Sequence, residues 1–199
     1  MSKPAPSTYP INEVIAHRWS PRAFLDKPVE KEKILSFLEA ARWAASSYGV
    51  QPWSYIIATK DDPENFAKLV SVLVPFNQSW AANAPVLLLS LAQTVNAEGK
   101  PNSHALHDTG AASAQLSIQA AALGLQAHQM SGFDAAEAKK VFALPEGVEA
   151  VAAIAVGYAG DPETLPDFLK ERELAERGRK PLSEFVFTGK YGEVSPLVV

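Results

Sequence analysis

The sequence predicts an α+β fold, with one mixed sheet covered by helices. Three stretches carry that reading. "EKEKILSFLEAARWAA" (30–45) repeats Ile34, Leu35, Leu38 and Ala41 at three- and four-residue spacing, the signature of one buried helix face. "WSYIIAT" (53–59) is rich in aromatic and β-branched residues and predicts a strand. "PVLLLSLA" (85–92) is an unbroken apolar run, as in a strand covered on both faces.

The remaining elements follow in order. A short helix is expected near Ile11–His17, followed by the loop "RWSPRAFLDKP". Asp62-Pro63 opens a helix, with an acceptor cap and a proline in the first turn. "LHDTGAASAQLSIQAAALG" (106–124) is the longest helix candidate, with Gly124 just past its end. Gly110, Ala111, Ala112, Ala114 and Ala120 give it a small-residue surface that allows close helix packing in a core or a subunit interface. "LQAHQM" and "AVAAIAVGYAG" predict third and fourth strands, and Asp134 caps a helix between them. The polar tail from Phe168 onward reads as partly extended, an arm reaching beyond the domain. Residues 1–10 form a flexible N-terminal arm, and 11–199 form a single domain.

Composition narrows the function. The 199 residues suffice for one substantial core. A net charge of -4 argues against a dedicated nucleic-acid or anionic-membrane binder. Without cysteine, the chain has no disulfide, thiol nucleophile or thiolate metal site. The first ten residues lack the apolar core of a signal peptide, and no apolar run is long enough to span a bilayer. The expectation is a soluble, cytoplasmic protein.

Four local patterns could carry chemistry, and each has a plain structural alternative. Arg18-Trp19-Ser20-Pro21-Arg22 sets two guanidinium forks and a hydroxyl beside a helix end, enough to grip a phosphate or simply to form a solvated basic turn. Ser46-Ser47-Tyr48-Gly49 is either a ligand-facing elbow or an ordinary helix-to-strand turn. Ser131-Gly132 presents backbone N–H groups between a strand and a helix. "ERGRKP" adds Arg177, Arg179 and Lys180, a second basic cluster or plain surface. The spacing of His104 and His107 suits a metal poorly, because helical ligand pairs favour i, i+4.

Taken in order, "HRWSPRAF", "EAARWAASSYGVQPWSYIIAT", "HDTGAASAQLSIQAAALGLQAHQMSGFD", "AVGYAG" and "RGRKPL" resemble the nitroreductase family of FMN-dependent oxidoreductases, from about residue 11 to 187. The resemblance implies a homodimer whose two FMN sites lie in the interface, each built from both subunits. It places Arg18, Trp19, Ser20 and Arg22 against the FMN phosphate and the pyrimidine side of the ring, with Arg177 and Arg179 as a second phosphate-side pair. It assigns Ser46, Ser47 and Gly49 to the loop that closes the partner's flavin site, and Asp108 to a helix position facing the cofactor from the partner. Asn77 falls near the ring edge, and Ser131 and Gly132 fall on the turn whose N–H approaches flavin N5. Ala45, Gly49, Trp80 and Ser131 depart from the family pattern, and Trp80 and Ser131 are expected above the ring, where they would bear on substrate choice.

The activity so implied passes electrons from NAD(P)H to a nitroaromatic, quinone or similar electrophile, with no side chain acting as an obligatory acid or base. The alternatives are a flavin carrier or sensor without turnover, or a member that acts on flavin or on a halogenated substrate.

Overall fold

The computed structural model describes residues 3–96 and 98–198. Its strands are β1 (Trp53–Thr59), β2 (Val86–Gln93), β3 (Gln126–Met130) and β4 (Val148–Gly157), in the order β1-β2-β4-β3. The helices are α1 (Glu13–His17), α2 (Lys31–Arg42), α3 (Pro63–Ser71), α4 (Pro75–Ala81), α5 (Ala105–Ala122), α6 (Ala135–Val141) and α7 (Asp167–Leu174). The α+β class holds, but the expected mixed sheet does not. All three strand pairings among the described residues are antiparallel. The apolar run of β2 reported burial on both faces, and helices covering an antiparallel sheet bury a central strand as completely as a parallel arrangement does. Burial carries no information about strand direction.

Alternation along β2 and β4 divides the core into two layers. Leu87, Leu89, Ala153 and Ala155 face Leu69 of α3 and Trp80 of α4. Val86, Leu88, Ile154 and Val156 face Phe37 of α2 and Leu116 of α5. The ladder between β2 and β4 shifts register after Ser90, which is fully buried. The Ser90 hydroxyl donates to the Ala152 carbonyl at 3.0 Å and accepts the Ala152 N–H at 3.1 Å, so the irregularity leaves those groups satisfied.

The local signals act as read. Asp62 accepts from Asn65 N–H to cap α3, and Asp134 accepts from Glu137 N–H to cap α6. Gly124 follows α5 at φ +78°, a conformation that a side chain disfavours. Two helices were not foreseen. "PFNQSWA" is α4, and the tail expected to be extended begins instead as α7, anchored by buried Leu169 and Glu173. Beyond it the tail folds back through a bridge between Phe187 and Val194, with Phe185, Tyr191 and Leu197 largely exposed. Of the N-terminal arm, residues 1 and 2 lie outside the described range. Lys3 Nζ donates to the Glu173 and Ala175 carbonyls, and Ala5 N–H donates to the Ala16 carbonyl.

Candidate cofactor site

β3 is an edge strand, and the segment 17–22 runs beside it. Side chains of β3 supply the bonds that a neighbouring strand would otherwise make. Gln126 Oε1 accepts the Trp19 N–H at 3.0 Å, and His128 Nδ1 donates to the Pro21 carbonyl at 2.8 Å. Burial pushes the His128 imidazole down to about 4, assisted by the charge of Arg22 and opposed by the Pro21 carbonyl. The ring is therefore neutral near pH 7, with its proton on Nδ1. Trp19 is itself buried, with Lys3 Nζ 5.3 Å from the ring centroid.

This segment meets the C-terminal basic run at a cavity of about 200 Å³, lined by Arg18, Ser20, Arg22, Glu173, Arg177 and Arg179 among others. The Arg18 guanidinium is half-buried, and no carboxylate among the described residues acts on it. Burial first, then the charges of Arg177 and Arg179, pull its pKa down. Arg177 is a clamp: its guanidinium donates to the carbonyls of Lys3, Ala16 and Arg18, the last at 2.9 Å. It thereby holds the backbone from which Arg18 projects. Among the described residues Arg179 bonds only the neighbouring Gly178 carbonyl. Arg22 is partly compensated by Glu173 at 3.8 Å, yet its Nε is buried without a partner. Mutually repelling, under-bonded guanidiniums with a nearby hydroxyl fit a phosphate monoester, which would accept from several of them at once. The cavity is smaller than the ~300 Å³ at which sites for drug-sized ligands begin. It suits a phosphate with the start of its polyol chain, and a three-ring system would have to extend beyond it.

Continuing past β3, the chain turns at Ser131-Gly132. The buried Asn77 amide donates to the Gly132 carbonyl at 2.9 Å, and Val74 N–H donates to the same oxygen at 3.1 Å. A Cβ on Gly132 would come within 2.5 Å of Asn77 Nδ2 and 3.0 Å of Val74 Cγ2, so glycine is required by close approach. The Gly132 N–H has no acceptor among the described residues and is available to a ligand. Asn77 thus acts through the turn that it holds. The aromatic pair Phe76 and Phe168, with ring centroids 6.1 Å apart, lies partly exposed nearby, and the Arg172 guanidinium is 5.2 Å from the Phe76 centroid.

The Ser46–Gly49 elbow lies elsewhere. It precedes β1, the opposite edge of the sheet from β3, with three strand spacings of ~4.8 Å between them. Tyr48 and Gln51 have φ of 52° and 53°, and Gly49 has φ 68°, so three of four consecutive residues lie in the left-handed region. Ser46 Oγ accepts the Gln51 N–H at 3.0 Å, and Asp108 Oδ2 accepts the Ser47 N–H at 2.9 Å. The other Asp108 oxygen lies 3.0 Å from His107 Nδ1. Burial raises the Asp108 pKa, but the His107 contact and the Ser47 N–H outweigh it and the net direction is down. Asp108 therefore ties the elbow to the start of α5 within one subunit. Tyr48, at the tip, is fully exposed.

The thirteen predicted positions form three groups. Arg18, Trp19, Ser20, Arg22, Arg177 and Arg179 meet at the cavity, and Asn77, Ser131 and Gly132 meet at the turn beyond the same strand. Ser46, Ser47, Gly49 and Asp108 form a third group, which one subunit does not bring to the other two. Trp80 is corrected: it is fully buried, 4.5 Å from His128 and 6.4 Å from Phe24, and lines no open space. Ser131 is exposed, as a ligand-facing position requires. Sequence reasoning missed Glu173 and Arg172 because α7 was not recognised as a helix.

The fold and cavity define an α+β protein with an arginine-lined cavity at one edge of its sheet and a separate loop at the opposite edge. The nitroreductase family model matches residues 15–158, and the chain belongs to that family. It is similar in structure to an FMN-containing oxidoreductase, with 38% identity, a TM-score of 0.89, and coverage of 95% of this chain and 96% of that one. A nitroreductase family protein from Clostridium difficile is 26% identical, with a TM-score of 0.69 over 89% of this chain and 96% of that one. A Stenotrophomonas maltophilia protein named "Putative NADH dehydrogenase/NAD(P)H nitroreductase" is 28% identical, covering 79% of this chain and 88% of its own.

Proposed function

We propose that this chain is an FMN-dependent oxidoreductase that carries electrons from NAD(P)H to a nitroaromatic, quinone or similar planar electrophile. One observation carries the reading: the arginine cavity beside β3 gathers positive charge that no carboxylate among the described residues meets at Arg18. The family and the FMN content of a protein 38% identical to it support FMN as the ligand. The name of the S. maltophilia relative supports a nicotinamide donor.

When bound, FMN supplies the hydride and electron transfer, and the protein supplies placement and charge. Arg18, Arg179 and Ser20 grip the phosphate, and Arg177 holds the backbone that presents Arg18. Arg22 is the cation that favours negative charge on the pyrimidine side of the ring. The Gly132 N–H, which has no acceptor among the described residues, would donate to the cofactor, and Asn77 holds the turn that presents it. Phe76 and Phe168, tilted 52° to each other, offer apolar contact to an aromatic acceptor. Solvent supplies the proton.

The proposal includes a homodimer. The elbow and Asp108 close the flavin site of the partner, and the C-terminal segment is the arm that reaches it. The separation of the elbow from the cavity by the width of the sheet supports this, as does the exposure of Tyr48, Tyr191 and Leu197. A cytoplasmic setting belongs to the same reading and fits the cysteine-free composition. The test is an absorbance spectrum of the purified protein reconstituted with FMN, before and after NADH or NADPH. Flavin absorbance that bleaches with a nucleotide and returns on adding a quinone is expected; a bound flavin that neither nucleotide bleaches contradicts the reductase reading.

A further inference from the structure

Two carboxylates line the cavity, the exposed Glu176 and the buried Glu173, and the buried one is out of place. Glu173 projects from α7 into a wall that also carries Arg18, Arg22, Arg172, Arg177 and Arg179, and its side chain is 1% exposed. It does not form a tight ion pair, since the Arg22 guanidinium nitrogen Nη1 is 3.8 Å away. Its oxygens instead accept backbone bonds. Oε1 takes the N–H of Arg22 at 2.9 Å and of Ala23 at 3.3 Å, and Oε2 takes the Arg22 N–H at 3.0 Å. The negative charge is thus fixed by the main chain of the segment that presents Arg22, and faces the same space as the guanidiniums.

We propose that Glu173 is the built-in counter-anion of the arginine cavity: it anchors the Arg22–Ala23 backbone and, through its charge, weakens the cavity's hold on a bound phosphate monoester. This rests on the reading of the cavity as the phosphate end of the FMN site. Two roles follow, and they have opposite signs. As an anchor, Glu173 promotes binding by holding the segment in place. As a charge buried within the cluster, it repels the incoming dianion, and in a partly desolvated site such a repulsion is strong enough to alter affinity on the order of tenfold. The outcome is a cavity that holds phosphate without retaining every anion that its guanidiniums could attract.

Glu173→Gln separates the two roles. The Gln carbonyl oxygen keeps the acceptor that Oε1 offers to both N–H groups, while the charge is lost. The experiment titrates apoprotein with FMN and with riboflavin, which lacks the phosphate, following flavin fluorescence, and measures inorganic phosphate as a competitor of FMN. Glu173→Gln is expected to tighten FMN about tenfold, to leave riboflavin near its wild-type affinity, and to strengthen competition by phosphate. Glu173→Ala, which removes charge and anchor together, is expected to bind FMN less tightly than Glu173→Gln. If Glu173→Gln folds poorly, the same comparison is made between Arg22→Gln and Arg22→Gln/Glu173→Gln, in which no guanidinium is left unbalanced at position 22. FMN affinity that is unchanged or weakened in Glu173→Gln, with wild type still preferring FMN to riboflavin, overturns the counter-anion and leaves the FMN reading standing. A wild-type protein that binds both flavins equally overturns the phosphate reading of the cavity itself.

Discussion

Asp108 Oδ2 accepts the backbone N–H of Ser47 at 2.9 Å, joining the first turn of α5 to the elbow before β1. The elbow's other hydrogen bonds are internal to it, as between Ser46 Oγ and the Gln51 N–H, and Tyr48, Gly49 and Val50 are exposed. The carboxylate therefore fixes the position of a loop whose other hydrogen bonds are its own.

Replacing Asp108 with Ala should release the elbow without unfolding the domain. The Ser47 bond contributes about 1 kcal/mol net, so urea unfolding should remain cooperative while FMN affinity falls. The contribution of Asp108 also depends on pH. Its pKa is lowered in the fold, so its stabilisation is complete above the ordinary value of 3.8 and is lost as pH falls through the lower folded value. Urea midpoints for both proteins between pH 5 and pH 2.5 should converge at the acid end; a constant difference across that range would contradict the charge-assisted tie.

His128 gives a second pH dependence, in a milder range. Its pKa is lowered to about 4 from 6.5, so the unfolded chain binds the proton more readily between those values. The stabilisation is complete above pH 6.5 and is lost as pH falls toward 4, by up to about 3 kcal/mol at 1.36 kcal/mol per pKa unit. His128→Asn keeps a donor near the Nδ1 position and cannot titrate. Its urea midpoint should vary less than wild type from pH 7.5 to 4.5, and parallel curves would remove His128 as the cause.

Gly132 and Asn77 form a steric pair. Gly132→Ala forces a Cβ to 2.5 Å from the buried Asn77 amide, so the amide must turn away and its bond to the Gly132 carbonyl breaks. FMN binding should weaken, and Asn77→Ala in the same chain should recover part of the loss in folding stability by opening space. Thermal unfolding of the two singles and the double variant measures this coupling; strict additivity would mean that the two side chains do not meet.

Much of this was legible before the structure. The caps at Asp62 and Asp134, the glycine after α5 and the strand "WSYIIAT" each follow from one local preference, and the structure keeps them all. Each basic stretch read alone was equally a solvated turn; only the order of motifs shared with the nitroreductase family joined the six residues that line the cavity. Strand direction was not readable, since β2 is buried on both faces whatever its neighbours do. Trp80 shows the limit of transfer by position: an aromatic residue where a lysine is expected found a place in the core between Phe24 and His128. Glu173 was invisible because "DFLKEREL" is mostly polar, and nothing in its pattern marks one glutamate as buried.

Arg18 gives the most direct test of the proposed phosphate grip, because no carboxylate among the described residues compensates it. Arg18→Ala should weaken FMN by about one to two orders of magnitude, the equivalent of one charge-assisted hydrogen bond of roughly 1.5–3 kcal/mol. Titration followed by flavin fluorescence reads this directly, and an unchanged affinity in a folded variant would remove Arg18 from the site.

In the proposed dimer, one flavin site takes the arginine cavity from one subunit and the elbow from another. Two lesions separate these parts. Arg18→Ala/Arg179→Ala disables the cavity, and Gly49→Val places a β-branched side chain at φ 68°, at a cost of about 1–3 kcal/mol to the loop. Each parent dimer should lack NAD(P)H-dependent activity. Differently tagged parents, partly denatured together, reassembled and purified as the heterodimer, carry one site with both lesions and one with neither. The account predicts that this heterodimer binds about one FMN per dimer and regains activity. A verified heterodimer that stays inactive and flavin-free, prepared from parents that are each inactive, would contradict it.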